Sequence, residues 1–458
     1  MVFIFVFKLF KTHILYLWLA MGYLISIIFT ALFLLIIYRS KFYKSENLNK
    51  HILPVLFLIK VSAGIALLLI YTYYYKTRIS ADVFKYFDDG MVIFSSLADN
   101  PLDYLKMITG IDADAEHLQK YYTEANFWFK EYNYNLFNEN RTMIRFNALI
   151  RLISFGYIEV HSVIISFLSF SGLVAIFKSI RKLFRKKEKF LLIFLFLMPS
   201  VLLWTSGVLK ESLAVFALGF LIYSYIKINQ KQNIIRNSIL LTIMAVLLFL
   251  TKFYIFIAIL PGFISYLMIR EGNDKYAFIK FISIHFLGFL LLINTQYFSS
   301  YNFIEIVARK QRDFINMLAT LDNVGSLINI NKIEPNTISL LVNIPIGFWN
   351  TMVRPLITEI SSPIAILAAL ENILIEIILI VTLIFSSYKN ITDKRFFWLT
   401  ISFTLILFSL SGMTTPVAGA LVRYKSPALP FLLMALLMLC DIDKLLAFKK
   451  KILKQNNE

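Results

Sequence analysis

Apolar runs recur along this chain, each close to the roughly 20 residues an α-helix needs to cross a bilayer. Read by length and hydropathy, they predict helical spans over about 16–38, 52–74, 157–178, 189–205, 208–227, 237–250, 253–270, 277–295, 363–386, 396–412 and 427–446. The runs are continuous. A membrane β-barrel would alternate apolar and polar residues, so that class is excluded. With 59% hydrophobic and 16% charged residues among 458, the chain also falls outside soluble composition. The expected fold is an all-α, polytopic integral membrane protein with about eleven transmembrane helices. A twelfth apolar stretch, 337–353, holds Pro345 and Gly347. It reads equally as a span or as a re-entrant or interfacial segment.

Basic loops orient these spans. The most basic connection runs from Lys178 to Lys189, and 39–50 is similar. So are the stretches around Lys231 and Arg236, from Arg270 to Lys280, from Lys389 to Arg395, and the tail after Lys449. The eleven spans place all of them on one side, expected to be cytoplasmic. This explains the net charge of +18 without nucleic acid. The lone Cys440 excludes an internal disulfide. The five histidines show no metal-ligand spacing, and nothing demands a cofactor, although a divalent metal is compatible. The apolar N-terminus lacks a small-residue cleavage site and reads as a first span, not a signal peptide. With no repeat or linker in view, 1–458 reads as one multi-span domain. Its outer side receives the segments 75–156 and 296–362.

Several charges beside the outer span ends are unusual. Lys210 and Glu211 follow a tight turn at Thr205–Gly207. Ser206 could cap the next helix, and Glu211 suits its positive N-terminal end, but Lys210 is repelled by it. Lys252 occupies a second tight turn; Arg354 and Glu359 lie within 353–363; Arg423 and Lys425 precede the last span. Singly, each cation can snorkel to lipid headgroups. Together, Lys210, Lys252, Arg354, Arg423 and Lys425 suit a phosphate or diphosphate, Arg by bidentate geometry and Lys as a point charge. Lys60, Glu371 and Glu376 lie deeper in spans. They are structural if paired, and point to ion or proton coupling if they face a cavity.

The segment 75–156 opens with an amphipathic pattern. Read as a helix, it sets Phe84, Phe87, Met91 and Phe94 on one face and Asp82, Lys85 and Asp89 on the other, with Asp88 on the flank. Such a helix suits the membrane surface. Its carboxylates are either a solvated face or a base turned toward the cations. The aromatic-rich stretch 121–137 fits a membrane interface better than sugar stacking.

The acidic first outer loop (Asp82, Asp88, Asp89), the Pro199–Glu211 segment and the late Gly419–Lys425 segment together resemble bacterial membrane glycosyltransferases of the GT-C type and related surface-polysaccharide polymerases and ligases. The resemblance covers most of the chain as an arrangement, through short motifs. It implies a multi-pass protein of the bacterial cytoplasmic membrane, acting at the outer face in envelope glycan assembly. Its partners would be a polyprenyl-linked sugar donor, a glycan or lipid acceptor and membrane lipids. Asp82, Asp89 or Glu211 would be the base, and Lys210, Lys252, Arg354, Arg423 and Lys425 the phosphate contacts. The chain departs from many such enzymes in ending soon after its last span, with no soluble C-terminal domain. Two alternatives stand beside this reading: a transporter or flippase for a glycan or lipid, and a non-catalytic scaffold with envelope-assembly partners.

Overall fold

The computed structural model describes residues 2–45, 48–75, 78, 81–129, 138–272, 274–319, 326–360 and 362–455, without the side chains of 2–19, 390 and 449–455. Among these residues the regular structure is helical, with isolated bridges joining Leu327 to Val417 and Ser386 to Cys440. The helices are α1 (Val2–Arg39), α2 (Ile52–Leu69, ending in a π-helical turn to Tyr74), α3 (Asp82–Asp99), α4 (Pro101–Thr109), α5 (Gln119–Tyr122), α6 (Asn140–Ser154) and α7 (Ile158–Ile180). Then come α8 (Glu188–Phe196), α9 (Pro199–Trp204), α10 (Lys210–Asn229), α11 (Ile234–Thr251), α12 (Phe253–Met268) and α13 (Ala277–Ile293). The remainder are α14 (Phe303–Ala319), α15 (Thr337–Val353), α16 (Pro363–Ile384), α17 (Lys394–Thr414), α18 (Ala418–Lys425), α19 (Leu429–Leu439) and α20 (Ile442–Gln455).

Among the described residues seven helical stretches are long and apolar enough to cross a membrane, one of them Ile158–Phe196, or eight if α18 and α19, bent by 60°, make one span. The expected eleven differ for physical reasons. α12 and α13 have 16 and 17 residues, about 25 Å at 1.5 Å per residue, against a hydrocarbon core near 30 Å. The stretch 189–205 is broken before Pro199, which has no backbone N–H to donate to the preceding turn. The ambiguous stretch 337–353 is one continuous helix, α15, with Pro345 inside it.

The chain divides into two compact units: Met1–Ser179 with Leu202–Phe253, and Ile180–Val201 with Tyr254–Glu458. In the first, α7 and α10 run in parallel. A Cβ at Gly219 would lie 2.1 Å from the Gly172 carbonyl oxygen, so the two backbones touch there. Phe33, Phe57 and Phe167 fill the space between α1, α2 and α7, with Phe33 stacked on Phe167 at 4.1 Å.

In the second unit, α15 and α17 make an equally close crossing through Gly347 and Gly412. The Thr351 hydroxyl donates to the Phe408 carbonyl across it, at 2.6 Å. α14 is amphipathic and docks its apolar face, Ile304, Val307 and Ala308, against Leu340 and Met413. Gln311 anchors it by donating to the Met413 carbonyl at 2.7 Å.

α3 does not display its apolar side to a membrane surface. Val83, Phe84, Tyr86, Phe87, Gly90 and Ile93 are buried in the protein, and a Cβ at Gly90 would press into α6 at Asn147. Met91, expected on the apolar face, is half exposed.

Candidate functional site

The first unit's unusual charges gather around the start of α10. The chain reaches it through the turn after α9, where Gly207 takes φ +70° and donates its N–H to the Ser166 hydroxyl of α7 at 3.0 Å. That left-handed backbone favours glycine. The Ser206 hydroxyl bonds back to the Leu202 carbonyl at 2.6 Å, so it does not cap α10 as the sequence suggested. The N-cap is Leu209, in extended conformation and without a side-chain capping bond.

Lys210 and Glu211 are consecutive, so their side chains leave α10 about 100° apart. Each takes a different partner. Lys210 donates to Glu139 at 2.9 Å and to the Asn140 side-chain oxygen at 3.0 Å, both at the start of α6. Its ammonium lies 5.8 Å from the Tyr86 ring centroid on α3. Glu211 turns to the end of α11 and accepts from Lys252 at 2.8 Å. The Thr142 hydroxyl of α6 donates to the Leu250 carbonyl at 2.7 Å, holding these two helix ends together. Lys60 of α2 donates to Thr205 at 2.8 Å and is fully buried, with no carboxylate in ion-pair range among the described residues.

Two Glu–Lys pairs therefore flank the first turn of α10. The Lys252–Glu211 pair is sealed from solvent. The Lys210–Glu139 pair is not, since the Glu139 side chain keeps 29% of its exposure. Lys252 does not snorkel to headgroups, the alternative to a phosphate contact: its ammonium points into the protein to meet a buried charge.

The three loop aspartates occupy distinct surroundings. Asp82 opens α3, lies 3.7 Å from Lys85 and is about one-third exposed. Asp88 receives both a 2.9 Å and a 2.6 Å bond from Arg78. Asp89, expected on a polar outer face, is instead buried. Its two oxygens accept the backbone N–H groups of Asn126 and Phe127 at 3.0 and 2.7 Å, fixing the 126–127 turn. Burial pushes its carboxyl above the ordinary range, against the pull of those N–H groups.

Within the aromatic stretch, Tyr121, Tyr122 and Trp128 are buried, while Phe129 is 51% exposed. Trp128 is fully buried, stacked on Tyr122 at 4.6 Å and flanked by the guanidiniums of Arg141 and Arg145. Trp128 is thus part of a core and not of an interfacial belt. Residues 130–137 lie outside the described residues.

The other expected phosphate contacts belong to the second unit. Arg354 pairs with Glu359 at 3.0 Å. Arg423 and Lys425 are buried on α18. Lys425 donates to the Asn372 side-chain oxygen at 2.5 Å, and Asn372 donates in turn to the Val353 and Pro355 carbonyls. Glu371 is buried and accepts the Ser200 backbone N–H at 3.0 Å. Glu376, five residues further along α16, is half-buried. Among the described residues no group of three or more His, Cys, Asp or Glu side chains could hold a metal ion.

Sequence reasoning did not find Glu139, Asn140 or Tyr86. The available signal was the polar stretch Asn138–Arg141 immediately before an amphipathic helix. Comparison with protein-family models, with characterised proteins and with solved structures gave no match to this chain.

Proposed function

We propose that this protein is a membrane glycosyltransferase, or polysaccharide polymerase, that takes a sugar from a polyprenyl-phosphate or -diphosphate carrier. The observation that carries the reading is the setting of Lys210. A cation stands at the first turn of a long helix, under α3 and α6, held by a carboxylate that still reaches solvent. An ammonium has three donors, and Glu139 and Asn140 engage two. A phosphate oxygen arriving there would meet the third donor and the positive end of α10.

Asp82 suits the base better than the other candidates. It lies four residues before Tyr86, so both side chains share the face of α3 that meets Lys210. Asp89 spends both oxygens on backbone N–H groups, and Glu211 is committed to Lys252. In the proposed step, an acceptor hydroxyl passes its proton to Asp82 while its oxygen bonds to the sugar's anomeric carbon. The bond from that carbon to the carrier phosphate breaks. The phosphate leaves with the electron pair, and Lys210 stabilises the charge it gains.

The test is incorporation of labelled sugar into membrane-bound glycan by cells or proteoliposomes carrying Lys210→Ala or Asp82→Asn, at matched protein level. Each substitution is expected to reduce product by about 10²-fold or more, the usual scale for losing one charge-stabilising or proton-transfer group. Unchanged product in both variants overturns the assignment. Movement of a glycan lipid across the bilayer without any new glycosidic bond would favour the transporter reading.

A further inference from the structure

The placement of α6 carries a separate conclusion. Gly207, just before α10, sits beside Ser162 of α7, and ten residues on Gly172 of α7 meets Val215, Phe216 and Gly219 of α10. The two helices therefore advance in the same direction, and their starts lie at one end of the pair. α11 returns antiparallel, so that Lys252 at its end is back beside Glu211. Three membrane-spanning helices thus have an end at one level: α7 and α10 begin there and α11 finishes there.

α6 is tied to all three. Its N-terminus meets Lys210 of α10 through Glu139 and Asn140, and Thr142 bonds the last turn of α11. Its C-terminus passes into α7 within four residues, through the left-handed pair Phe155 (φ +54°) and Gly156 (φ +81°). A 15-residue helix is about 22 Å long. Fastened at both ends to span termini, it must lie across them, in the plane of the membrane surface.

One side of this helix is covered by α3. The other is apolar and open: Leu149, Leu152, Ile153 and Phe155 are 42–72% exposed. The first three recur at i, i+3 and i+4, on one face. α4 continues the surface. Its Tyr104 hydroxyl bonds the Ala148 carbonyl of α6 at 3.2 Å, and its own Leu102 and Leu105 are exposed. The Arg145 side chain fastens the same two helices by donating to the Met107 carbonyl at 2.7 Å.

We infer that α4 and α6 form an in-plane element whose open apolar side rests in the headgroup–acyl boundary of the lipid bilayer. The occupant is lipid because the face is continuous with spanning helices: Phe155 is three residues from the start of α7. An aqueous setting would leave six large apolar side chains in water at the level where the bilayer begins. The inference rests on the membrane reading alone and is independent of the glycosyltransferase proposal.

The lone Cys440 makes the test direct, since its replacement leaves a cysteine-free chain. In a Cys440→Ala background, Leu105→Cys, Leu152→Cys and Ile153→Cys are each labelled with a bimane fluorophore in phospholipid nanodiscs. Glu116→Cys, an exposed loop position between α4 and α5, is the reference. Monodisperse elution selects the folded variants, and the three apolar positions back one another up. The expected result is at least twofold stronger quenching at the apolar positions by lipids spin-labelled near the headgroup than by aqueous iodide, with the reverse at position 116. Iodide quenching at all four positions overturns the proposal. So does protection of the apolar positions from both quenchers, which would mean that protein covers the face.

Discussion

The Lys252 ammonium stands 2.8 Å from the Glu211 carboxylate, and the two side chains keep only 3% and 1% of their exposure. Two charges so fully removed from water each depend on the other for compensation. Lys252→Met or Glu211→Gln alone is expected to destabilise the first unit by about 3–5 kcal/mol, because each leaves the opposite charge buried and uncompensated. The double variant Lys252→Met with Glu211→Leu should recover much of that loss. Thermal unfolding in one detergent, with all four proteins side by side, reads both effects. Two mild single variants would show that other groups compensate each charge when its partner is removed. If the double variant folds but makes no product, the pair serves the site as well as the fold.

Asp89 gives a local prediction. Asparagine in its place keeps one acceptor oxygen but turns an NH2 group toward a backbone N–H that needs an acceptor. Asp89→Asn should cost about 1–3 kcal/mol, the range for stranding a buried hydrogen-bonding group. The loss should concentrate in 126–129, where hydrogen exchange should quicken while the α7 and α10 cores keep their protection. Uniform acceleration across the unit would contradict a role confined to this turn.

Asp274 sets a pH dependence in the second unit. A hydrogen bond from Lys280 holds its carboxyl down at about 2, helped by the backbone N–H groups of Arg270 and Tyr276. A depressed carboxyl contributes stability that is fully present above its ordinary value of 3.8 and is lost as pH falls toward about 2. The connection between α12 and α13 should therefore loosen in that window, seen as faster exchange of the amides around 270–276. Asp274→Asn should already be loosened at neutral pH and should show no further change across the window.

The sequence carried the class of this fold well, because hydrocarbon sets the length and composition of a span. The apolar runs read at 52–74 and 363–386 correspond to helical segments ending at Tyr74 and Ile384. Pairings between distant residues were not legible. Glu139 lies 71 positions before its partner Lys210, and no periodicity links them. Asp89 misled for a different reason: a carboxylate at a helical spacing shared with Asp82 and Lys85 reads as a wet face. In the fold it is a buried acceptor for a turn 37 residues away. Of the cations read from the sequence as phosphate contacts, Lys210 and Lys252 belong to the first unit and Arg354, Arg423 and Lys425 to the second.

The crossing of α15 and α17 supplies a prediction about packing. A Cβ built on Gly412 would lie 1.9 Å from the Gly347 carbonyl oxygen and 2.6 Å from the Thr351 hydroxyl, a contact no rotamer relieves. Gly412→Ala must therefore push the two helices apart. The shift would also lengthen the 2.6 Å bond from Thr351 to the Phe408 carbonyl and disturb the Gln311 anchor at the Met413 carbonyl. Overpacking of this kind costs about 1–3 kcal/mol. Alanine at Gly288 is the control, since nothing lies within 4 Å of its Cβ position, and on α13 it should be neutral or slightly stabilising through better helix propensity. Thermal midpoints of the two variants should therefore move in opposite directions or differ by several degrees. Equal midpoints would mean that α15 and α17 are not in backbone contact.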